Sequence, residues 1–121
     1  MANNFKTVTF AAEPASAGTA YKMYTCPSST TTVVLGLVLA NIHTTAVTAE
    51  VELVSDTANR GGANNVANGT SFLVKDVTIP TGSSLEVLSG SKVVMEATDE
   101  IKIDCSVADK LSGTLSIMEI S

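Results

Sequence analysis

His43 is the single histidine of this chain, so a Ser/His/Asp or Cys/His nucleophilic site would have to be built on it. It stands in His43-Thr44-Thr45-Ala46, a polar break between two apolar runs, with no acidic neighbour in sequence to orient its ring. It reads as an exposed turn residue. Cys26 and Cys105 form no CxxC pair, and one histidine with two distant cysteines is an incomplete zinc set. They read as buried, unreactive thiols, with a Cys26–Cys105 disulfide across neighbouring strands left open for an oxidising setting. Asp99 and Glu100, with Asp104 and Asp109 nearby, are the oxygen ligands calcium takes, but EF-hand spacing is absent. A turn followed by solvated strand faces accounts for them. The stretch RGGANNVANG is rich in glycine without a GxGxxG pattern, and no lysine follows it to hold a phosphate. Sugar platforms need flat aromatic faces, yet the chain has no Trp, and strand alternation puts Tyr21 and Tyr24 on opposite faces. No catalytic, cofactor or metal site is expected, and the chain is expected not to be an enzyme.

What positions these residues is a set of β-strands. Thr32 to Val54, TVVLGLVLANIHTTAVTAEVELV, reads as two strands joined by a turn at residues 43–46, because β-branched residues dominate both arms. In the second arm Val47, Ala49, Val51 and Leu53 alternate with Thr48, Glu50 and Glu52, the period of a strand with one face buried and one wet. In the first, Val33 to Ala40 is apolar on both faces, so it is expected to be covered on both sides. It is either a central strand of a sandwich or a strand whose outer face meets another subunit. The run is far too short to span a bilayer, which needs about 20 residues.

Further strands are expected at Thr19–Cys26, with Tyr21 and Met23 on one face and Lys22 and Tyr24 on the other, at Phe72–Ile79, Ser84–Leu88, Lys92–Glu96, Ile101–Cys105 and Thr114–Ile120. Pro27-Ser28-Ser29, Pro80-Thr81-Gly82 and Ser89-Gly90-Ser91 punctuate them, and residues 107–113 read as the last loop. The expected fold is all-β: an antiparallel sandwich or jelly roll of about eight strands spanning residues 19–121. Residues 1–18 read as an arm and linker, either an extension reaching a neighbouring subunit or a frayed terminus with one edge strand. Residues 55–71 read as a long loop, of a length that is usually functional or disordered. The candidate partner contacts are Phe5, Val8 and Phe10 in the arm, and Arg60, Asn64, Asn65 and Asn68 in the loop.

Composition narrows the classes. One domain is expected from 121 residues, enough to bury roughly two-thirds of the unfolded surface without a metal or disulfide. Only 16% of the residues are charged, against about 25% in an ordinary soluble domain. Either Ser and Thr cover the surface, or partners cover some of it. A net charge of −5, with seven scattered Lys and Arg, argues against nucleic-acid binding. MANNFKTVTF has no basic segment followed by an apolar core, so no signal peptide or membrane anchor is expected, and synthesis is expected in a cytoplasm.

From Tyr24 onward, the order of features resembles a group of small structural proteins in the particles of tailed bacteriophages, including those that infect cyanobacteria. The likeness is carried by YTCPSSTTTVVLGLVLANIHTTAVTAEVELV, LVKDVTIPTGSSLEVLSGSKVVMEATDEIKI and LSGTLSIMEIS, and covers about residues 21–121. It implies a β-sandwich that is non-enzymatic, sits in the virion and binds other virion proteins. Members of such a group occur at head, neck and tail, and NRGGANNVANG is longer here than the group's pattern. The expectation is a capsid decoration, or cement, protein that is a homo-oligomer and binds the major capsid shell. A neck, baseplate or fibre component of the tail is the alternative within the class. A soluble glycan-binding or adhesin module is the alternative outside it.

The burial expected of Val33–Ala40 has a direct test. Leu37→Asp places a carboxylate without a partner in the interior at a cost of several kcal/mol, so the domain should fail to fold or assemble. A soluble Leu37→Asp chain with an unchanged melting temperature would refute that burial.

Overall fold

A computed structural model describes residues 2–55, 69–88 and 90–121. Among these residues nine strands follow in chain order: β1 (Asn3–Glu13), β2 (Tyr21–Thr25), β3 (Thr31–Asn41), β4 (Val47–Val54), β5 (Thr70–Ile79), β6 (Ser84–Glu86), β7 (Val93–Met95), β8 (Glu100–Cys105) and β9 (Leu111–Ile120). They form two antiparallel sheets. The first has the order β1-β9-β3-β6, with β7 also paired to β3, and the second has the order β2-β8-β4-β5. The chain changes sheet at every connection except β4 to β5 and β6 to β7, and the result is a β-sandwich of jelly-roll type.

The alternation read from the sequence governs which side chains go inside. Val47, Ala49 and Val51 of β4 and Ile101, Ile103 and Cys105 of β8 are buried, while the residues between them are only partly so. From the first sheet Val34, Leu37, Leu39, Leu111, Leu115 and Ile117 meet them, all at or near zero exposure. Burying one large aliphatic side chain contributes about 1.5–3 kcal/mol, so this shared interior is the main support of the fold.

Thr32 to Val54 departs from the expected hairpin. β3 lies in the first sheet and β4 in the second, so the segment is an arch across the core. Asn41 makes the crossing. Its buried side chain donates from Nδ2 to the carbonyls of Thr45 (3.0 Å) and Ile79 (2.9 Å), and its Oδ1 accepts from His43 N–H (2.7 Å). A hairpin would have put the apolar faces of both strands on one sheet; the arch sets them against each other. β3 is central in its sheet, flanked by β9 on one side and by β6 and β7 on the other. Only one of its faces is covered, however, because Leu35 and Val38 are exposed on the other.

The largest departures from the expected limits and facing are in β2, β9 and β1. β2 carries a bulge between Lys22 and Tyr24, so Tyr21 pairs with Ile103 and Tyr24 with Ile101, both inward-facing positions of β8. The two tyrosines therefore share the inner side, because the extra residue reverses the alternation. β9 begins at Leu111, within the expected loop. Residues 3–13, read as part of an arm, form the edge strand β1, whose register with β9 runs from Asn3↔Ile120 to Glu13↔Leu111. Residues 14–20 are held as well: Pro14 O accepts from Asp109 N–H (2.8 Å) and Gly18 N–H donates to Asp104 Oδ1 (3.2 Å).

Phe10 anchors β1. It is buried, meets Tyr21 edge-to-face with ring centroids 5.3 Å apart, and lies directly over Gly113, its register partner. A Cβ at Gly113 would stand 2.6 Å from Phe10 Cζ, closer than real Cβ contacts come. Gly113→Ala must therefore shift the ring, and should destabilise the domain by about 1–3 kcal/mol. Thermal unfolding should show a lower Tm, with part of the loss restored when Phe10→Leu is added; an unchanged Tm would show that the ring has room to move.

Candidate functional site

The two outer faces of the sandwich differ in kind. The second sheet presents Lys22 from β2, Glu50 and Glu52 from β4, Lys75 and Asp76 from β5, and Glu100, Lys102 and Asp104 from β8. Like charges stand opposite one another at Lys22↔Lys102 and Glu50↔Asp104, an arrangement that is destabilising when left alone. Neighbours offset it. Glu100 pairs with Lys22 at 3.0 Å and Lys102 at 3.8 Å, and Lys75 pairs with Glu50 at 2.9 Å while its ammonium lies 4.5 Å from the Phe72 ring centre. Partial burial and the charge of Glu50 push the Glu52 carboxyl above its ordinary value. With three lysines against five carboxylates this face keeps a net negative charge, partly paired, and suits solvent.

The first sheet's outer face carries almost no charge. Asn3, Phe5, Thr7 and Thr9 of β1 lie beside Ile120, Met118, Ser116 and Thr114 of β9. Beyond them come Val33, Val38 and Ala40 of β3, then Val94 of β7 and Glu86 of β6. Register joins four of these into one row across the sheet, Phe5↔Met118↔Val33↔Val94, with Leu35 exposed beside it. The row's ends are the most open, Phe5 at 73% and Val94 at 61% exposure. A row of apolar side chains on a sheet face with so little charge is the kind of surface that a partner can cover.

At the same end of the sandwich a polar cluster ties the two sheets together. Tyr24 Oη donates to Glu119 Oε2 at 2.6 Å and lies 2.8 Å from Thr32 Oγ1. Thr32 Oγ1 lies 3.2 Å from Cys26 Sγ, and Lys6 Nζ pairs with Glu119 Oε1 at 2.7 Å. Glu119 and Thr32 are both buried and are register partners on β9 and β3. The bond from Lys6 and then that from Tyr24 hold the Glu119 carboxyl below its ordinary value of 4.5. Burial, and then the bond to Glu119, push the Tyr24 hydroxyl well above its ordinary value. Burial likewise raises the Cys26 thiol, and the charges of Asp99 and Glu119 act in the same direction. Cys26 Sγ also donates to Thr30 O at 3.3 Å, so it is a structural thiol and not an activated nucleophile.

The remaining sequence candidates fall apart in space. His43 is half-buried in the arch, placed by its backbone: its N–H bonds to Asn41 and its carbonyl accepts from Thr81 Oγ1 at 2.7 Å. Cys105 is buried and free, as is Cys26. Asp99 is buried, with Oδ2 accepting from Glu96 N–H at 3.0 Å, and Asp109 takes a left-handed turn conformation (φ 59°). An open depression of about 340 Å³ is lined by Gly18, Glu50, Asp76, Asp104 and Ser106 among others. Asp104 there already accepts from Gly18 and Cys105 N–H groups. Among the described residues no group of three or more His, Cys, Asp or Glu is placed to hold a metal ion.

Of the candidate partner contacts, Phe5 stands open on the uncharged face. Val8 is half-buried against the core and Phe10 lies in it, so both point into the chain's own interior. Arg60, Asn64, Asn65 and Asn68 lie outside the described residues. Val94, Met118, Leu35 and Val38, which the sequence reading does not single out, lie on the same face. The signal for Leu35, Val38 and Val94 is the doubly apolar run at Val33–Ala40, together with VVM at residues 93–95.

No family model matches the chain, and no curated protein matches it. Among solved structures, a protein of Bacillus endospore appendages, described as a family of disulfide-linked pili, is similar with a TM-score of 0.47 and 17% sequence identity, covering 99% of this chain and 87% of that one.

The cluster makes a pH-dependent contribution to stability. A carboxyl whose folded pKa is depressed stabilises the fold above its unfolded value, here about 4.5, and that contribution is lost as pH falls through the lower folded value. Tyr24→Phe, which removes one bond to the carboxylate, should destabilise the domain by about 1–3 kcal/mol at pH 7 and by much less at pH 3. Urea unfolding at the two pH values measures this; an equal loss at both would show that Glu119 is not the partner that matters.

Proposed function

We propose that this chain is a structural subunit of a tailed-phage particle, a decoration protein that binds and stabilises the capsid shell and performs no catalysis. It acts as an oligomeric building block assembled with other virion proteins in the host cytoplasm. The observation that carries this reading is the contrast between the two sheet faces. One is charged and partly self-paired in water, and the other presents the row Phe5, Met118, Val33 and Val94 with no charge among them. An exposed face of that kind is a liability for a free monomer and an advantage for a subunit whose surface is covered in an assembly. Many copies, each making a modest apolar contact, hold a shell firmly. The alternative position in the neck, baseplate or fibre draws on the same face and the same resemblance. A glycan module is less well supported, because Tyr21 and Tyr24 both face inward and leave no aromatic platform on that strand.

The test is incorporation. Chain added to particles lacking it should co-purify with them, and density for it should repeat over the capsid. Val94→Glu, on the outer face, should leave thermal unfolding nearly unchanged and lower occupancy more than about tenfold, because the assembly that covers this face would have to bury a carboxylate. Density confined to the tail moves the protein to the alternative position. Failure to associate with any particle, together with binding to a glycan array, overturns the reading.

A further inference from the structure

We infer that the apolar, nearly charge-free face of the first sheet is covered by the same face of a second copy, in a two-fold dimer whose axis runs along the strands. The inference rests on the structural-subunit reading and names the partner of that face. Charge selects the partner. The row Phe5↔Met118↔Val33↔Val94 is charge-free, so the surface against it must lack charges that would be stranded on burial. Of this molecule's two outer faces, the second sheet's carries Lys22, Glu50, Glu52, Glu100, Lys102 and Asp104 and is unsuitable. The first sheet's face is suited to itself, since Glu86, the charge it carries among these residues, stands on β6 at the edge of the sheet and away from the row.

The order of side chains along the row supports the same geometry. The row's larger residues, Phe5 and Met118, lie on β1 and β9, and its smaller ones, Val33 and Val94, on β3 and β7. A two-fold axis along the strands reverses the row. Phe5 then meets Val94 of the second copy, and Met118 meets its Val33, large against small at every step. Four strands about 4.8 Å apart make the row roughly 15 Å wide, and sheets packing face to face sit about 10 Å apart with strands within about 30° of each other. Such isologous pairing is the commonest symmetry of soluble oligomers.

The experiment is sedimentation of the purified full chain across concentration. At about 100 µM, a concentration that reports even weak association, the wild-type chain should be dimeric. Phe5→Glu and Val94→Lys should each be monomeric, weakened more than about 100-fold, with circular dichroism melts close to wild type because both positions lie outside the core. Mixed in equal amounts the two variants should recover a dimer, since one contact then joins opposite charges and the other is wild type. A monomeric wild-type chain, a dimer indifferent to either substitution, or a mixture that stays monomeric overturns the inference. The outcome is separable from the particle reading: a monomer in solution that still enters particles through this face sinks the dimer alone, and a dimer that never enters particles sinks only the particle reading.

Discussion

Everything in this molecule depends on the pleat of the strand, which commits each side chain to the interior or the surface with a period of two. The core follows from that constraint wherever the period runs uninterrupted, as in Val47–Val51, Ile101–Cys105 and Leu111–Ile117. Where an extra residue enters, the commitment changes, and the fold uses these changes. The bulge at Lys22/Tyr24 brings Tyr24 round to the inner side, within reach of Glu119. The irregularity between Val34 and Gly36 leaves Leu35 exposed beside the apolar row. On β5, an edge strand, two further shifts fall around Glu50 and Glu52, and Asp76 takes a left-handed conformation (φ 52°). Twist and charge together make that edge a poor template for another strand.

The Tyr24–Glu119–Thr32 cluster is a second consequence of the pleat. Glu119 occupies an inward position of β9 where the pattern of Leu111, Leu115 and Ile117 calls for an apolar residue. A carboxylate there is tolerable only with its oxygens satisfied, and Tyr24 from the opposite sheet and Lys6 from the edge strand satisfy them. The bonds specify how the sheets meet: Tyr24 reaches Glu119 only when β2 lies over β9 and β3 in the observed register. The cluster thereby fixes β1, through Lys6, at the end of the strand that carries Phe5.

The fold class, most strand positions and the inward residues of β4 and β8 were legible in the sequence because an uninterrupted alternation is a local signal. The arch at residues 42–46 was not, since a hairpin and an arch share the same apolar runs and differ only in what Asn41 bonds to, including Ile79 far along the chain. The facing of Tyr24 was lost for a related reason: a bulge has no compositional mark in KMY. Phe10 looked like a contact residue because its partner is the absence of a side chain at Gly113, a position inside the expected last loop. The contact face itself was half legible. Val33–Ala40 announced two apolar faces, but Phe5, Met118 and Val94 become one row only once three separate registers are known.

Charge distribution carries the last step. The charged residues are few, 16% of the chain, and the sheet faces do not share them evenly. Those on the second sheet stand in pairs and near-pairs that would be costly to desolvate, which keeps that face in water whatever the chain assembles with. The first sheet's face has Thr and Ser where a solvated face would carry Lys and Glu, and hydroxyls can be covered at far smaller cost than charges. The proposed second copy is therefore directed to one side of the sandwich. The side that remains exposed is already arranged to be soluble.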